Sequence, residues 1–518
     1  MKILLILALC AVAAADCYKI LCIMSVPSKS HNHLAQGIVN ALLKADHEVT
    51  WLTPYPPKGP LHKGLRIIDG SATVPISTAI DMSDKRNANK GLSFVREFAR
   101  NISIATANIP ALRAALVNEQ FDAVISETFF SDVDAGYAAV QQAPWILLSG
   151  VVLQPMLEAQ VDDVRTLGTI PMLMNDFPIP MSFWQRVVNV GIYAMISFGS
   201  WWEQGATVAL YHSMFGPLAT ARGLILPSLE DALNNVSILF VNSHSSFAPA
   251  QSLPPNVVDI GGYHIEETTQ PLPKDLQELL DSSSKGVIYF SMGSVIQSSK
   301  LPAHTKSALM KTLGELPYTV LWKFEEQLEG LPKNVHIRPW MPQAAILGHK
   351  HTVLFITHGG LLSTLEALKH GVPLVAVPVF GDQPANAARA ARAGYSVTVR
   401  YDTDTMARDL KGAVEEVLGT DKYAKQAKYL SYLFNKRPVA PSKLISHYVE
   451  LAVESKGAHH LRSKSKLYPW YQRWLVDQLV VLIALLYVIY KITKKTFNFI
   501  SSKITGTKKT AGKKVKRN

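Results

Sequence analysis

Cysteine is scarce in this chain, with three among 518 residues. Cys10 lies in an apolar amino-terminal segment, and Cys17 and Cys22 lie five residues apart on a predicted first strand. This set excludes a disulfide framework as the basis of the fold. Hydrophobic residues make up 48% and charged residues 18%, which is typical of a globular protein. A chain of this length is expected to form two domains with additional segments.

The main part of the chain also lacks an excess of charge of either sign. The formal net charge is +12, but residues 491–518 contain ten Lys and Arg and no acidic residue, which leaves +2 for everything before them. Nucleic-acid-binding domains carry a concentrated basic surface, so this distribution disfavours that function.

Two apolar segments predict that the chain is targeted to the secretory pathway and anchored in a membrane. Residues 1–15 combine Lys2, an apolar run and small residues before the cleavage point, which predicts a secretory signal peptide. The segment 474–491, preceded by aromatic residues and followed by lysines, predicts a transmembrane helix rather than a core helix. By the positive-inside rule, the basic tail 492–518 lies in the cytosol. Residues 16–470 are expected to lie in the lumen, and the juxtamembrane segment 456–473 leads into the helix.

Two shorter sequence motifs indicate in which cellular compartment the chain resides. The ending Lys514-Val-Lys516-Arg-Asn resembles the dilysine retrieval signal, which predicts the endoplasmic reticulum membrane. N-x-[ST] triplets begin at Asn101 and Asn235, and both are candidate glycan acceptors. The chain is therefore predicted to be a single-pass glycoprotein with its main part in the lumen.

Short apolar runs alternate with helical stretches, and the alternation restarts after a segment rich in Pro, Gly and Thr. This order predicts two α/β domains, over 16–245 and 276–455, each a parallel sheet with crossover helices. Residues 246–275 are predicted to link them. The stretch 171–202 is apolar and aromatic without strand alternation, and two alternatives remain open for it. It forms core helices, or it lines an apolar pocket and touches the bilayer.

The stretch "FITHGGLLSTLE", which begins at Phe355, predicts a strand, a tight turn and a helix. Free backbone N–H groups and the positive helix end favour a pyrophosphate at such a turn. Gly359 and Gly360 let the backbone approach the ligand closely, and His358 and Ser363 offer further hydrogen bonds. The same pattern also describes an ordinary strand-to-helix turn, so the flanking residues decide between the two.

The flanking residues supply the other contacts that a nucleotide sugar needs. Trp340 offers a flat face for a base, and Gln343 offers an amide for the ribose or the base. Glu366 offers a carboxylate for two ribose hydroxyls. Asp382 and Gln383 place a carboxylate and an amide side by side, which suits the vicinal hydroxyls of a sugar.

The segment from Trp340 to Asn386 resembles the signature of the UDP-glycosyltransferases, the family that includes the glucuronosyltransferases. The resemblance rests on W-x-x-Q, H-G-G, a Glu eight residues after the His, and D-Q, and it extends over nearly the whole chain. It implies the GT-B fold, in which two Rossmann-like domains face each other, here with one carboxyl-terminal transmembrane helix. It also implies which residues contact each part of the UDP-sugar. Uracil would stack on Trp340, and the ribose would contact Gln343 and Glu366. The phosphates would contact Ser294 and His358, and the sugar would contact Asp382 and Gln383.

One position departs from the pattern of the vertebrate members. They commonly have Asn where this chain has Leu362, and Ser363 is expected to supply the phosphate contact instead. This variant resembles the invertebrate branch of the family, whose usual donor is UDP-glucose.

The amino-terminal half is expected to carry the catalytic base. His31 follows the first strand and begins a helix, and a helix amino terminus favours the neutral imidazole that a general base needs. His33 is the alternative. The family pairs its catalytic His with an Asp, for which this chain offers Glu127, with Asp132 and Asp134 as alternatives. The carboxylate would orient the ring and stabilise the imidazolium.

These residues predict an inverting transfer that yields a β-glycoside of a small lipophilic hydroxyl compound, of the conjugation or detoxification type. The helix terminus and hydrogen bonds are expected to stabilise the leaving UDP, so no metal or cofactor is expected. The expected partners are a UDP-sugar, the acceptor and the membrane, and homo-oligomerisation remains open.

Three alternatives remain open at this point. The D-x-D triplets Asp132-Val-Asp134 and Asp402-Thr-Asp404 are typical of metal-dependent sugar transferases. The Glu127 substitution and the missing Asn allow a non-catalytic binder of UDP-sugars or lipophiles. The third alternative keeps the chemistry but uses UDP-glucuronate, since the sequence assigns no basic residue to a sugar carboxylate.

Overall fold

The computed structural model describes residues 17–78, 91–173, 175–265, 271–294 and 296–511. The predicted signal peptide and the predicted retrieval ending lie outside the described residues. The chain divides into two compact units, one that ends at Arg462 and one that begins at Ser463.

The amino-terminal half forms a parallel sheet. Its strands are β1 (Lys19–Ile23), β2 (Glu48–Thr53), β3 (Leu65–Asp69), β4 (Ala123–Glu127), β5 (Trp145–Ser149), β6 (Val236–Val241) and β7 (Val257–Asp259). Among the described residues, these seven strands pair in the order β3-β2-β1-β4-β5-β6-β7. Every residue of β4, β5 and β6 is buried, because helices cover both faces of a parallel sheet.

The carboxyl-terminal half forms a second parallel sheet. Its strands are β8 (Val287–Ser291), β9 (Thr319–Lys323), β10 (Val335–Arg338), β11 (Thr352–Thr357), β12 (Leu374–Ala376) and β13 (Ser396–Thr398). In the part of the chain that the structure describes, their order is β10-β9-β8-β11-β12-β13. The two sheets confirm the predicted pair of α/β halves.

Helices connect the strands within each half. In the amino-terminal half they are α1 (Lys29–Lys44), α2 (Val74–Thr78), α3 (Gly91–Ala107), α4 (Pro110–Asn118), α5 (Ala135–Gln141), α6 (Pro155–Val161), α7 (Phe183–Trp202), α8 (Gln204–Ala221) and α9 (Leu229–Leu233). In the carboxyl-terminal half they are α10 (Lys274–Ser282), α11 (Ala303–Gly314), α12 (Gln343–Leu347), α13 (Leu361–His370), α14 (Gln383–Arg392), α15 (Met406–Leu418), α16 (Lys422–Asn435) and α17 (Pro441–Glu454). Helix α1 buries Leu34, Ile38 and Leu42 at helical spacing, so one face of it packs on the first sheet.

The chain crosses between the two halves at two places. The predicted linker, 246–275, contains strand β7, which pairs with β6 at the edge of the first sheet. Further along, α17 returns to the first half, where Ile445, Val449 and Ala452 are buried with side chains of α1. The segment 276–455 therefore includes a helix whose apolar face belongs to the core of the other domain.

The carboxyl edges of the two sheets lie close to each other. Ser30 Oγ, just after β1, lies 3.4 Å from Ser294 Oγ, just after β8. Lys29 Nζ lies 5.3 Å from the centre of the Trp340 ring. The loops at these edges therefore form a shared cleft, which is where α/β sheets bind their ligands.

Helix α7 exposes most of its apolar surface. Within it, only Asn189 and Ile196 are buried among the described residues. Trp184 and Trp202 are largely exposed, as are several aliphatic residues between them. This exposure excludes the core-helix alternative for this part of the stretch 171–202.

The second unit contains α18 (Trp470–Arg473) and α19 (Val476–Ala511). Within α19, Val476–Ile504 is long and apolar enough to cross a membrane, by length and composition. The helix extends past the predicted segment 474–491 because no Pro or Gly interrupts the sequence between residues 476 and 505.

Candidate active site

His31 and Glu127 are in direct contact. His31 lies in the first turn of α1, which a short loop, 24–28, connects to β1, and Glu127 is the last residue of the neighbouring strand β4. Because adjacent parallel strands end at the same edge, His31 Nδ1 lies 2.6 Å from Glu127 Oε1. The Glu127 side chain is 2% exposed and the His31 side chain is 26% exposed. The carboxylate is thus enclosed, while the imidazole reaches the cleft.

The sequence alternatives to this pair lie apart from it. His33 packs edge-on against His264, with the ring centres 5.7 Å apart. Asp132 is exposed and Asp134 is half-buried on the segment between β4 and α5. Of the three candidate carboxylates, Glu127 is the one that the structure hydrogen-bonds to the imidazole.

Glu127 changes the ionisation of His31. Burial alone would lower the imidazole pKa, but the charge of Glu127, its hydrogen bond and the charge of Asp382 outweigh it and raise the pKa above the ordinary 6.5. Glu127 and Asp382 therefore outweigh the lowering of the pKa that was expected from the helix terminus. His31 is a stronger base than an isolated histidine.

Aromatic side chains form a wall next to His31. The Phe129 ring meets the His31 ring edge-on, with centres 5.4 Å apart. Phe98 and Phe130 each pack edge-on against Phe129, at 6.1 Å and 5.6 Å. A substrate that reaches the imidazole from this side meets an apolar, aromatic surface.

Gln343, Ser363 and Glu366 form a hydrogen-bonded group across α12 and α13. Gln343 Nε2 donates to Glu366 Oε2 at 2.9 Å and to Ser363 Oγ at 3.0 Å. Glu366 is buried, and burial raises its pKa to about 7, although Gln343 and Lys369 act in the opposite direction. The carboxylate therefore gains or loses its charge near neutral pH.

His358 lies over two glycine backbones at the end of β11. A Cβ on Gly360 would lie 2.5 Å from His358 Nε2, and one on Gly293 would lie 2.6 Å from His358 Cε1. Gly359 has a φ of +78°, which other residues rarely adopt. Burial, together with the charge of Lys323, lowers the pKa of His358 to about 4. The turn is therefore shaped by glycine and carries a neutral imidazole.

Asp382 and Gln383 lie at the start of α14 and differ in their contacts. Asp382 Oδ2 accepts from Asn386 Nδ2 at 2.7 Å, and burial raises the pKa of the Asp382 carboxyl above its ordinary value. Gln383 is buried, and its Oε1 accepts from Val379 N at 2.9 Å and from Phe380 N at 3.2 Å. The amide oxygen of Gln383 thus holds the preceding loop.

Lys323 is a site residue that the sequence did not reveal. It ends β9, is buried, and donates to Gly293 O at 2.7 Å and to Glu325 Oε1 at 3.1 Å. Its Nζ lies 6.0 Å from the centre of the Trp340 ring, which is 61% exposed. The signal that could have found it is a lysine that ends an apolar strand, in "YTVLWKF".

Comparison with known proteins identifies the family. Residues 84–511 match the family described as UDP-glucoronosyl and UDP-glucosyl transferase. The chain belongs to the UDP-glycosyltransferase family. UDP-glucosyltransferase 2 of Dactylopius coccus is 32% identical over 494 residues, which is 93% of each chain. UDP-glucuronosyltransferase 2B19 of Macaca fascicularis is 33% identical over 335 residues, which is 63% of this chain and 61% of that protein.

Solved glycosyltransferase structures share the fold of this UDP-glycosyltransferase. The crystal structure of LpCGTa in complex with UDP has a TM-score of 0.54 and 16% identity, covering 85% of this chain and 100% of that one. A UDP-glucosyltransferase from Polygonum tinctorium capable of glucosylating indoxyl, in complex with 3,4-dichloroaniline, has a TM-score of 0.56 and 16% identity, covering 85% and 99%. These likenesses confirm the predicted GT-B fold.

The second acidic triplet of this glycosyltransferase, Asp402-Thr-Asp404, has local partners. Asp402 Oδ1 accepts from Asp404 N at 3.0 Å and from Thr405 N at 3.2 Å, and His304 Nε2 lies 3.1 Å from Asp404 Oδ1. The second triplet therefore forms the turn before α15. Among the described residues, no three His, Cys, Asp or Glu side chains are grouped so as to hold a metal ion.

The two candidate glycan acceptors differ in their surroundings. Asn101 is exposed on α3. Asn235 is exposed before β6, and its Oδ1 accepts from Arg462 Nη1 at 2.7 Å. Their modification stays a prediction.

Glu127→Gln is expected to lower the pKa of His31, because the amide keeps the shape of the carboxylate but removes its charge. The measurement is an NMR titration of the histidine imidazoles in the full chain, with the His31 signals assigned by loss in His31→Ala. Asp132→Asn, on the neighbouring segment, is the matched control and is expected to leave the His31 titration in place. A His31 pKa that Glu127→Gln does not lower would contradict the ion pair.

Proposed function

We propose that the chain transfers a hexose, glucose, from a UDP-sugar to a hydroxyl of a small lipophilic acceptor, with inversion at the anomeric carbon. The observation that carries the proposal is the 2.6 Å contact between His31 and Glu127 at the edge of the cleft that also contains Asp382 and the His358 turn. The membership in the UDP-glycosyltransferase family supplies the reaction class.

In this proposal His31 is the general base and Glu127 its positioning residue. Glu127 holds Nδ1, so Nε2 is the nitrogen that takes the proton from the acceptor hydroxyl. The acceptor oxygen attacks the anomeric carbon from the face opposite UDP, the bond to the UDP oxygen breaks, and an α-linked sugar becomes a β-glycoside. The proton stays on the imidazole, where the Glu127 carboxylate stabilises it.

The donor contacts follow from the same cleft. The exposed face of Trp340 stacks on uracil. The carboxylate of Glu366, to which Gln343 donates a hydrogen bond, accepts hydrogen bonds from the two ribose hydroxyls. The His358 turn, with Ser294, receives the phosphates; at a pKa of about 4, His358 contributes a neutral ring N–H rather than a charge. The start of α13 adds backbone N–H groups, so no metal ion or cofactor is expected.

Asp382 and Gln383 complete the proposed donor site at the sugar. Asp382 offers its carboxylate to the sugar hydroxyls, while Gln383 offers its amide nitrogen, since its oxygen is taken by the loop backbone. The charge of Asp382 also contributes to the raised pKa of His31. The residue proposed to bind the sugar is therefore close enough to interact electrostatically with the proposed base.

The identity of the donor sugar and the class of the acceptor are inferred from different observations. Glucose is favoured by the relative named a UDP-glucosyltransferase, which matches 93% of this chain. UDP-glucuronate is the second candidate because of the relative named a glucuronosyltransferase. An aromatic or lipophilic acceptor is favoured by the wall of Phe98, Phe129 and Phe130, and by the aromatic compound bound to the similar plant structure.

His31→Ala is expected to lower acceptor-dependent UDP release by roughly a hundred- to ten-thousand-fold, which is the usual contribution of a general base. UDP binding is expected to persist, because the proposed donor contacts come from the other domain. The assay compares UDP-glucose, UDP-glucuronate, UDP-galactose and UDP-N-acetylglucosamine against a set of small phenols, with and without a chelator.

His62→Ala, on an exposed loop, is the matched control and should retain activity. His33→Ala is measured beside it; loss of transfer there but not in His31→Ala would move the base to His33. UDP-sugar binding by the unaltered chain without release for any pair would favour the non-catalytic binder.

UDP-glucose binding is expected to weaken as the pH falls through about 7. The proposed ribose contact needs an ionised Glu366, whose pKa is raised to about 7 by burial, so binding is strongest above that pH and weakens progressively below it. Between about pH 8 and about pH 6 the dissociation constant should rise by up to about tenfold. Calorimetry without acceptor measures it, since UDP-glucose does not itself titrate in this range. Glu366→Gln should remove this pH dependence; if it persists, another group controls it.

We also propose that the chain is a single-pass protein of the endoplasmic reticulum membrane, with both α/β domains in the lumen and the basic tail 492–518 in the cytosol. The signal-like segment 1–15 and the lysines that follow the apolar stretch support this orientation. In sealed microsomes, protease is expected to remove an epitope placed after Asn518 and to spare one inserted in the exposed loop at Lys58. The reverse pattern would invert the topology.

A further inference from the structure

A cavity of about 380 Å³ lies at the junction of the two domains, outside the residues assigned above to the donor and to the His31–Glu127 pair. One wall is the face of α1 that carries Gly37 and Lys44. The other walls come from Lys369 at the end of α13, from Arg437 after α16, and from the segment Gly261–Ile265. This volume is that of a small-molecule site.

The charge of this junction cavity is positive. Lys44, Lys369 and Arg437 line it, and no carboxylate lies among its described lining residues. These cations come from both domains, since Lys44 belongs to the first and the other two to the second. Three cations around one small cavity favour an anion with more than one charge, for which phosphate groups are the common biological example.

Arg437 has a hydrogen-bond donor without a partner. Its guanidinium stacks on the Phe434 ring at 4.4 Å, and its Nε donates to Phe434 O at 2.8 Å. Its Nη2 is buried and has no hydrogen bond to a described residue. Burial lowers the pKa of Arg437 to about 10, with Asp259 acting in the opposite direction, so the group stays charged at neutral pH. A buried charged donor without an acceptor is unfavourable, and an anion in the cavity would satisfy it.

His264 lies between the cavity and the proposed ribose site. It is 3% exposed, and burial lowers the pKa of its imidazole well below the ordinary 6.5. Its Nε2 lies 3.8 Å from Glu366 Oε1. Gly37 permits this arrangement, because a Cβ there would lie 2.8 Å from the Tyr263 ring. His264 thus both lines the cavity and lies next to the carboxylate of the proposed ribose site.

We propose that the junction cavity is a second ligand site, for a phosphorylated small molecule, distinct from the UDP-sugar site. Its phosphate accepts hydrogen bonds from Arg437 Nη2 and is neutralised by Lys44 and Lys369. Because Lys44 and Arg437 belong to different domains, the ligand joins α1, which carries His31, to the carboxyl-terminal domain.

The test measures binding of radiolabelled phosphate, pyrophosphate and AMP to the full chain in detergent micelles at low salt. The chain is saturated with UDP, so the phosphate turn at His358 is already filled. Saturable binding of at least one probe is expected, at one molecule per chain. Preference for AMP over both inorganic ions would assign the site to an organic phosphate, and equal or better binding of the inorganic ions would assign it to free phosphate.

Lys44→Met and Arg437→Met are each expected to weaken this binding by about tenfold, as for loss of one charge-assisted contact. Lys44 is exposed, so its variant tests the site without disturbing the core. Arg408→Met removes a charge from an exposed arginine on α15 and should change nothing. Absence of saturable binding, or binding that Lys44→Met and Arg437→Met leave unchanged, overturns the proposal. Transfer is not measured, so this outcome is separate from the test of the base.

Discussion

A buried carboxylate keeps its charge only beside a suitable partner, and the pairing of Glu127 with His31 meets this constraint at the edge of the first sheet. The pairing needs β1 and β4 to be neighbours, and it needs α1 to start directly after β1. Asp382, from the other domain, adds to the same electrostatic balance. The pKa of His31 is therefore a property of both domains, and it depends on how closely their carboxyl edges approach.

The cleft separates its ionisable groups by environment. His31 has a raised pKa because a carboxylate faces it, whereas His358 has a pKa of about 4 because it is buried and near Lys323. Glu366 titrates near 7 because burial outweighs the amide of Gln343. The two imidazoles thus differ in pKa, and in the proposed mechanism this difference lets His31 move a proton while His358 only donates a hydrogen bond.

The sequence predicted the features that are local in the chain and missed those that depend on distant contacts. The strand, the His-Gly-Gly turn and helix α13 follow from a short pattern, and the resemblance placed Glu127 beside His31. The direction of the His31 pKa shift was predicted wrongly. The sequence showed that His31 begins a helix, which would lower the pKa, but it did not show how strongly the Glu127 carboxylate would raise it. Lys323 was missed because only the packing of β9 beside β8 brings it to Gly293. The return of α17 to the first core was missed because its apolar face is compatible with either domain.

That return of α17 has a mechanical consequence. The polypeptide passes from the first domain to the second near residue 260 and comes back near residue 440, so two covalent tethers connect the domains. Two connections restrict the relative motion of two domains more than a single connection does. Residues 261–265 and Ala440 both line the junction cavity, so both connections border it. A change in the angle between the domains would therefore alter this cavity as well as the cleft.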